Sequence, residues 1–464
     1  MSARLLPFAA LLLGGCAVLE PHYKRPALPT PAAWPTGPAY DAATQVAGEP
    51  ALPAWRDFFT DPKLNQLIET ALQNNRNLRV SALNIERARS LYRIQRAARV
   101  PAIDATAGGQ IQRGVAVPGS DTITRAYTAG ASVTAFEVDF LGRVRGLSRS
   151  ALQSYLATRD ARDAAQISLI AEVATAYLAY AGDLELLRLA QDTLKTQRES
   201  YDLTQRRFEA GASSQVAVFQ AQTTVETARA DVARYTAQTA QDENALELLL
   251  GAPMPDALRP TTVDAIAFGA AELPPGLPSE VLLSRPDIRE SEHRLRGANA
   301  DVGAARAAFF PSVHISAFGG SADPRFENLF SGANGAWSFT PSVNIPIFRG
   351  GQLIGQLGAA NASRKIAVAQ YEKAVQAAFR EVADALADRA ALGERLAALQ
   401  ALAGAADQSF KLSDARYREG VDNYLNLLDA QRALYAAQQN LVSARVARAA
   451  NFVALYKTLG GGGR

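Results

Sequence analysis

Few side chains of this 464-residue chain carry the chemistry of a catalytic or metal site. A single cysteine is too few for a disulfide framework, an iron–sulfur cluster or a cysteine-based zinc site. The three histidines, His22, His293 and His314, lie far apart in the sequence. We find no glycine-rich phosphate loop and no nucleophile elbow. The sequence therefore predicts a protein that is not an enzyme and that needs no cofactor.

The chemistry that the sequence does predict is lipid attachment at Cys16. Arg4 precedes an apolar run, 5–13, and two glycines lead to Cys16, as in a secretory signal that ends in a bacterial lipobox. Such a cysteine receives a diacylglycerol on sulfur and an acyl chain, for example palmitate, on nitrogen, and two or more chains give stable anchoring. Ala17 follows instead of an aspartate, which favours passage to the outer membrane. The alternative is an ordinary signal peptide with an incidental cysteine.

Charge and composition exclude other classes of protein. The chain has 48 Lys and Arg against 45 Asp and Glu, and a net charge of +3 does not build a basic surface for nucleic acid. Hydrophobic residues make up 48% of the chain, which excludes a disordered polymer. No internal stretch has the roughly 18 consecutive apolar residues of a membrane-spanning helix.

The body of the chain is a tandem duplication. The segment 96–101 recurs as 306–311, and the segment 203–211 recurs as 412–420. Matches that keep nearly the same offset over so long a stretch indicate two structural repeats. The predicted boundaries are a signal peptide at 1–15, a proline-rich tether at 16–55, a first repeat at 56–260, an equatorial connection at 261–285 and a second repeat at 286–460.

Each repeat contains two segments with the two-residue period of a β-strand. The four predicted strands are about 100–115, 126–140, 311–320 and 336–348. In the last of them Trp337 and Phe339 alternate with Ser338 and Thr340. Apolar and polar faces with aromatic residues near the strand ends are typical of an outer-membrane barrel, with lipid outside and water inside. The alternative is a soluble sheet that packs its apolar face on helices.

The remaining segments have the heptad-like spacing of long, packed helices. The predicted long helices are about 143–208, 215–250, 350–417 and 423–458. Val173, Tyr177, Tyr180 and Leu184 follow a 4-3-4 spacing, which indicates coiled-coil packing. The first helix would be about 100 Å long at 1.5 Å per residue.

Four strands cannot close a barrel, because about eight is the smallest common number. Open sheet edges are not tolerated in lipid, so several copies of the chain must share one barrel. Two copies would give eight strands and three would give twelve, and the spacing does not decide between them. If each strand pair continues into a helix pair, a hollow tube of helices would extend the barrel across the periplasm.

Several motifs along the chain form a joint pattern. They are Pro21-His22-Tyr23-Lys24-Arg25-Pro26, Trp55-Arg56-Asp57-Phe58-Phe59, Arg285-Pro286-Asp287-Ile288, Ala304-Ala305-Arg306-Ala307-Ala308-Phe309-Phe310-Pro311, and Tyr417-Arg418-Glu419-Gly420-Val421-Asp422-Asn423-Tyr424-Leu425. This pattern resembles the outer membrane factors of tripartite efflux pumps, the TolC-like family, and most of all its OprM-like, NodT-type lipoprotein branch.

The resemblance implies a fold and a function. The fold is that of a mixed α/β membrane protein in which a homotrimer forms a twelve-stranded β-barrel, continued by a coiled-coil α-helical barrel with an equatorial belt. The function is that of an outer-membrane exit duct that passively conducts small molecules such as drugs. The implied partners are a periplasmic adaptor protein and an inner-membrane transporter, usually of the resistance-nodulation-division type.

The resemblance also implies a periplasmic gate. Leu425 and Asp429 match its lining positions and, being four residues apart, share one helix face, on which we also expect Asp422. Copies of Leu425 would form an apolar constriction and copies of Asp429 a charged ring that favours cations. The alternative is that Asp429 is merely a solvated helix residue. TolC has a basic residue just after the equivalent turn, whereas this chain has Asp422. The salt bridge that locks TolC is therefore not expected here.

The helix-to-helix turns are the third functional feature that the resemblance implies. The family's turns meet the hairpins of the adaptor, and the corresponding residues are Arg207, Gly211, Arg416, Gly420 and Val421. The alternative for both glycines is an ordinary helix C-cap.

Two other functions remain possible from the sequence. One is an exit duct for one-step (type I) protein secretion. The other is a periplasmic coiled-coil lipoprotein without a pore, which would explain the heptads and the anchor but not four strands placed alike in two repeats.

Overall fold

The computed structural model describes residues 19–40, 53–117, 120–269 and 279–461. Its helices are α1 (Trp55–Phe58), α2 (Pro62–Asn74), α3 (Arg76–Ala97), α4 (Arg143–Glu209), α5 (Gln215–Leu250), α6 (Pro286–Ala307), α7 (Gln352–Arg418) and α8 (Tyr424–Thr458). Its strands are β1 (Asp104–Val117), β2 (Ser120–Val138), β3 (Ser312–Asp323) and β4 (Gly335–Asn344). Both repeats therefore run helix, two strands, long helix, shorter helix, which confirms the predicted fold class.

The chain forms two compact units. The first comprises residues up to Ala27 together with Leu83–Arg159 and Glu290–Glu372. The second comprises Leu28–Ala82, Asp160–Arg289 and Lys373–Arg464. Helices α4 and α7, of 67 residues each, contribute to both units.

The first unit contains a four-stranded antiparallel sheet in the order β1-β2-β3-β4. The alternation along β4 leaves Trp337 82% exposed and Phe339 58% exposed on one face. No described element covers these side chains, so the alternative of a soluble sheet packed on helices is wrong. The outer edges of β1 and β4 have no strand partner in the described part of the chain.

The predicted tether is not free along its described length in the first unit. Residues 19–25 form no helix or strand, yet their side chains and carbonyl groups bind α6. The segment is therefore extended and is held against α6. The reason is a set of ion pairs between residues nearly 270 positions apart.

The second unit has a core where α2 and the chain after α5 pack on the long helices. The largest fully buried side chains in it include Phe58, Phe59, Tyr177 and Tyr456. Phe58 and Phe59 pack their rings against Tyr456 at centroid distances of 4.9 and 5.3 Å. Helix α4 is the one described helix that is long and apolar enough to span a membrane by composition, and half of its most apolar window is buried inside the protein.

Candidate functional site

Two matching turns in the second unit join α4 to α5 and α7 to α8. Gly211 and Gly420 take left-handed backbone angles, with φ of +73° and +78°. In each turn the glycine N–H donates to the carbonyl three residues back, and the next N–H donates to the carbonyl five residues back. This Schellman pattern ends both long helices, so the C-cap interpretation of the two glycines is right.

Side chains from both turns form one connected cluster. The Arg207 guanidinium lies 4.5 Å from the Tyr417 ring centroid, and its Nη2 donates to the Arg418 carbonyl at 3.0 Å. The hydroxyls of Thr204 and Tyr417 are 2.9 Å apart in a buried hydrogen bond. The rings of Tyr417 and Tyr424 meet edge to face at 5.7 Å. Arg207, predicted to contact an adaptor, is thus already engaged within its own chain.

Asp422 lies in the second turn. The sequence analysis expects it instead on the helix face that Leu425 and Asp429 share. Helix α8 begins at Tyr424, because the Asn423 side chain caps it by accepting from the Asn426 N–H. The Asp422 carboxylate instead binds Arg416 through two hydrogen bonds of 2.6 and 3.1 Å. These hydrogen bonds and the charge of Arg416 lower the pKa of Asp422 below its usual value. Asp422 thus lies just before α8 and fixes Arg416 in the turn, and its part in the gate stays a prediction.

Leu425 and Asp429 lie together on the outer face of α8. Leu425 is 49% exposed and Asp429 is exposed, whereas Leu427 and Leu428 are buried between the helices. Arg432 is exposed three residues after Asp429 and so adds a positive charge to this face. The sequence interpretation did not include Arg432, although its i, i+3 spacing from Asp429 would have indicated it.

The turns also present small apolar surfaces. Val421 is 63% exposed and Phe208 is 39% exposed. A Cβ added at Gly211 would contact nothing within 4 Å, and one at Gly420 would contact only the Arg207 guanidinium, at 3.7 Å. The sequence interpretation did not include Phe208, and the repeat does not mark its exposure, since the matching residue in the second turn, Tyr417, is buried. Both turns are therefore open surfaces on which another protein can pack.

Cys16, where the sequence predicts lipid attachment, lies outside the described residues. Two of the three histidines take ordinary structural places: His293 Nδ1 is 2.6 Å from Gln153 Oε1, and His314 Nε2 is 3.1 Å from Ser312 Oγ.

Comparison with known proteins agrees with this geometry. The family described as "Outer membrane efflux protein" matches residues 67–252 and again 277–461. The two matched segments repeat the offset that the sequence shows.

Individual relatives are similar over nearly the whole chain. The toluene efflux pump outer membrane protein TtgC of Pseudomonas putida is 46% identical over 461 residues, covering 98% of this chain and 95% of that protein. The antibiotic efflux pump outer membrane protein ArpC of the same species is equally similar, with the same coverage. The crystal structure of the open state of the MtrE outer membrane channel of Neisseria gonorrhoeae superposes with a TM-score of 0.85 at 38% identity, covering 96% of this chain and 98% of that one.

Proposed function

Because this chain belongs to the outer membrane efflux protein family and is an outer-membrane efflux channel, we propose that it works as a homotrimeric exit duct for small apolar molecules. The observation that carries the proposal is the four-stranded sheet with an exposed apolar face and two unpartnered edges. Lipid requires those edges to be paired, and only other copies of the chain offer matching strands. Three copies give a closed barrel of twelve strands, in which each pair of strands leads into a long helix.

Electron microscopy of the detergent-extracted protein tests this proposal. We expect class averages with threefold symmetry and a hollow cylinder. Single rods or twofold particles would contradict the trimeric duct and favour a periplasmic coiled-coil protein instead.

The names of the relatives indicate which compounds this channel conducts. TtgC and ArpC are named for the efflux of toluene and of antibiotics. We infer that this channel passes apolar solvents and antibiotics of similar kind. Conduction is passive and needs no cofactor or catalysis, so an inner-membrane transporter of the resistance-nodulation-division type supplies the energy.

A periplasmic adaptor links that transporter to the channel, and we infer that it packs on the two turns. Gly211, Gly420 and Val421 offer the open surface, and Arg207 and Arg416 are held beside it by contacts within the chain. Gly211→Trp and Gly420→Trp should each reduce adaptor pull-down and drug efflux. A tryptophan at Gly404, an exposed glycine within α7, serves as the matched control. Unchanged pull-down and efflux in both turn variants would contradict the contact.

Lipid anchoring at Cys16 is a separate part of the proposal. It rests on the apolar run and the small residues before the only cysteine of the chain. The mature wild-type protein should carry the mass of a diacylglycerol and an acyl chain, and Cys16→Ser should lack both. A wild-type protein of unmodified mass would contradict the anchor and leave the channel proposal intact.

A further inference from the structure

Two arginines lie on the apolar face of the sheet, near the turn that joins β1 to β2. Arg113 of β1 pairs with Ile123 of β2. Arg125 of β2 pairs with Ile111 of β1. Residues in these diagonal positions share one face of a sheet and lie about 7–8 Å apart. All four side chains are exposed, and the two isoleucines are each 60% exposed. Both arginines therefore lie on the face that meets lipid when the polar face lines a water-filled lumen.

The apolar face has the height of a membrane-spanning band. Val313 of β3 pairs with Val343 of β4 at the end of the sheet next to the long helices. Asp323, the last residue of β3, pairs with Tyr127 of β2. From Val313 to Asp323, ten steps of about 3.4 Å at a tilt of about 40° rise about 26 Å, and the apolar band of such barrels is about 25 Å tall. Tyr127 therefore marks the extracellular limit of the band.

Aromatic side chains meet at that limit. The rings of Tyr127 and Phe326 pack edge to face at 5.7 Å, and Phe326 is exposed in the loop after β3. Such aromatic girdles mark the interface between hydrocarbon and headgroups. Arg125 and Arg113 lie beyond Tyr127 by about 5 and 10 Å along the membrane normal. Both guanidinium groups are therefore at the level of the headgroups of the extracellular leaflet.

The aspartates on this face leave the charge of Arg125 available. Asp323 binds the loop that follows β3, because its two carboxylate oxygens accept hydrogen bonds of 2.7 and 2.8 Å from that loop. Asp121 lies on the far side of Arg113, one pair further from the apolar band. Within the part of the chain that the structure describes, Arg125 forms no ion pair. A negatively charged group of the membrane can therefore bind between the two strands.

We propose that Arg113 and Arg125 bind a phosphate group of lipid A, the phosphorylated glycolipid of the extracellular leaflet of an outer membrane. An arginine on the lipid face is costly in hydrocarbon and is tolerated near the interface. Guanidinium groups bind phosphate through paired, charge-assisted hydrogen bonds, and two of them on neighbouring strands can hold one phosphate between them. The proposal rests on the barrel proposed above and adds which lipid its outer face binds.

Native mass spectrometry of the full-length protein, extracted in detergent and mixed with lipid A, tests the site. We expect the wild type to bind lipid A at least about tenfold more tightly than the same lipid without its phosphates. Arg113→Gln/Arg125→Gln should weaken the binding of lipid A by a similar factor. Arg76→Gln/Arg79→Gln, which removes two exposed arginines of α3, is the matched control and should bind as the wild type does.

Arg113→Lys/Arg125→Lys keeps both charges and should retain most of the binding, which separates the loss of charge from a failure to fold. Three results would overturn the proposal: equal binding of the two lipids by the wild type, unchanged binding in the glutamine variant, or equal loss of binding in the lysine and glutamine variants. The same spectra count the chains in each particle, so a failure of the trimer and a failure of the lipid site are distinguished.

Discussion

Among the residues that the structure describes, nothing packs over the side chains of Leu425 and Asp429 to explain them. Both are exposed on α8, beside buried leucines that hold the helix in place. In the proposed trimer, three copies of Leu425 form an apolar constriction and three copies of Asp429 a charged ring. We predict that Leu425→Ala and Asp429→Ala raise the channel conductance in planar bilayers and increase the entry of large antibiotics. Asp202→Ala, at an exposed aspartate on α4, is the control, and a conductance of Asp429→Ala equal to wild type would contradict the gate.

Asp183 of α4 and Asp242 of α5 are a second notable pair of residues. Burial, and then the hydrogen bond and charge of Asp242, raise the pKa of Asp183 to about 7, and the charge of Arg234 opposes this only in part. In the described part of the chain, Asp242 Oδ2 is buried and accepts no hydrogen bond, while Oδ1 accepts one from Gln238 at 3.1 Å. The folded chain therefore holds a proton on Asp183, beside the Asp242 carboxylate, more tightly than the unfolded chain does.

The sign of the resulting pH dependence is fixed by the raised pKa of Asp183. Because the folded protein holds this proton more tightly than the unfolded chain, the stabilisation is present at low pH and is lost as the pH rises through about 7. We predict that the apparent melting temperature falls between about pH 4 and about pH 7 and levels off above that. Asp183→Asn should remove most of that fall, whereas Asp202→Asn should not. An identical pH profile for Asp183→Asn and wild type would contradict the raised pKa of Asp183.

At the scale of elements, each long helix depends on the turn that ends it. Gly420 has φ of +78° and space for a Cβ, so Gly420→Ala adds only the cost of a left-handed residue, about 1–2 kcal/mol. We predict that the Val421 amide, which donates to the Arg416 carbonyl, exchanges hydrogen at least about fivefold faster in this variant. The same substitution at Gly393, within α7 and also with open space, should instead stabilise the helix by about 1 kcal/mol. Equal exchange rates in the wild type and Gly420→Ala would contradict this account of the turn.

Elements with a strong local period could be predicted from the sequence. The alternation in the strands and the heptads in the helices gave four strands and four long helices, with the start of α4 and both ends of α5 placed correctly. The start of β2 was placed six residues late, at 126 where the strand begins at Ser120, because the alternation is weak there. A local period is enough to predict these elements, because the spacing of apolar residues decides which side chains share the buried face.

Contacts between distant residues could not be predicted in the same way. The pairing of Asp422 with Arg416 depends on where α8 begins, and the cap at Asn423 decides that by a single residue. The binding of Arg25 and Tyr23 to Glu292 joins residues nearly 270 positions apart, and no period in the sequence marks it. The helices that carry the predicted site residues could therefore be placed from the sequence, and the ion pairs that hold the turns and the N-terminal segment could not.

For the whole molecule, the unpartnered edges of the sheet are the feature that demands assembly. Strands β1 and β4 each pair with only one neighbour in the described chain, and the apolar face between them is exposed. A β1 edge of one copy matches a β4 edge of the next in an antiparallel sheet, so the same contact can repeat around a ring. A ring is the only arrangement in which every edge is paired and lipid meets no free backbone group.

Disulfide trapping between the edge strands tests this ring. Cysteines replacing Thr106 or Gln110 on β1 and Ser338 or Ser342 on β4 all lie on the polar face and span several possible registers. We predict that one β1–β4 combination forms a disulfide between copies, and that the ladder of cross-linked species on a denaturing gel ends at three chains. Each cysteine alone, in the same membranes, is the control and should give no ladder. A ladder that ends at two chains would indicate an eight-stranded barrel, and one that continues beyond three would indicate that the contact does not close.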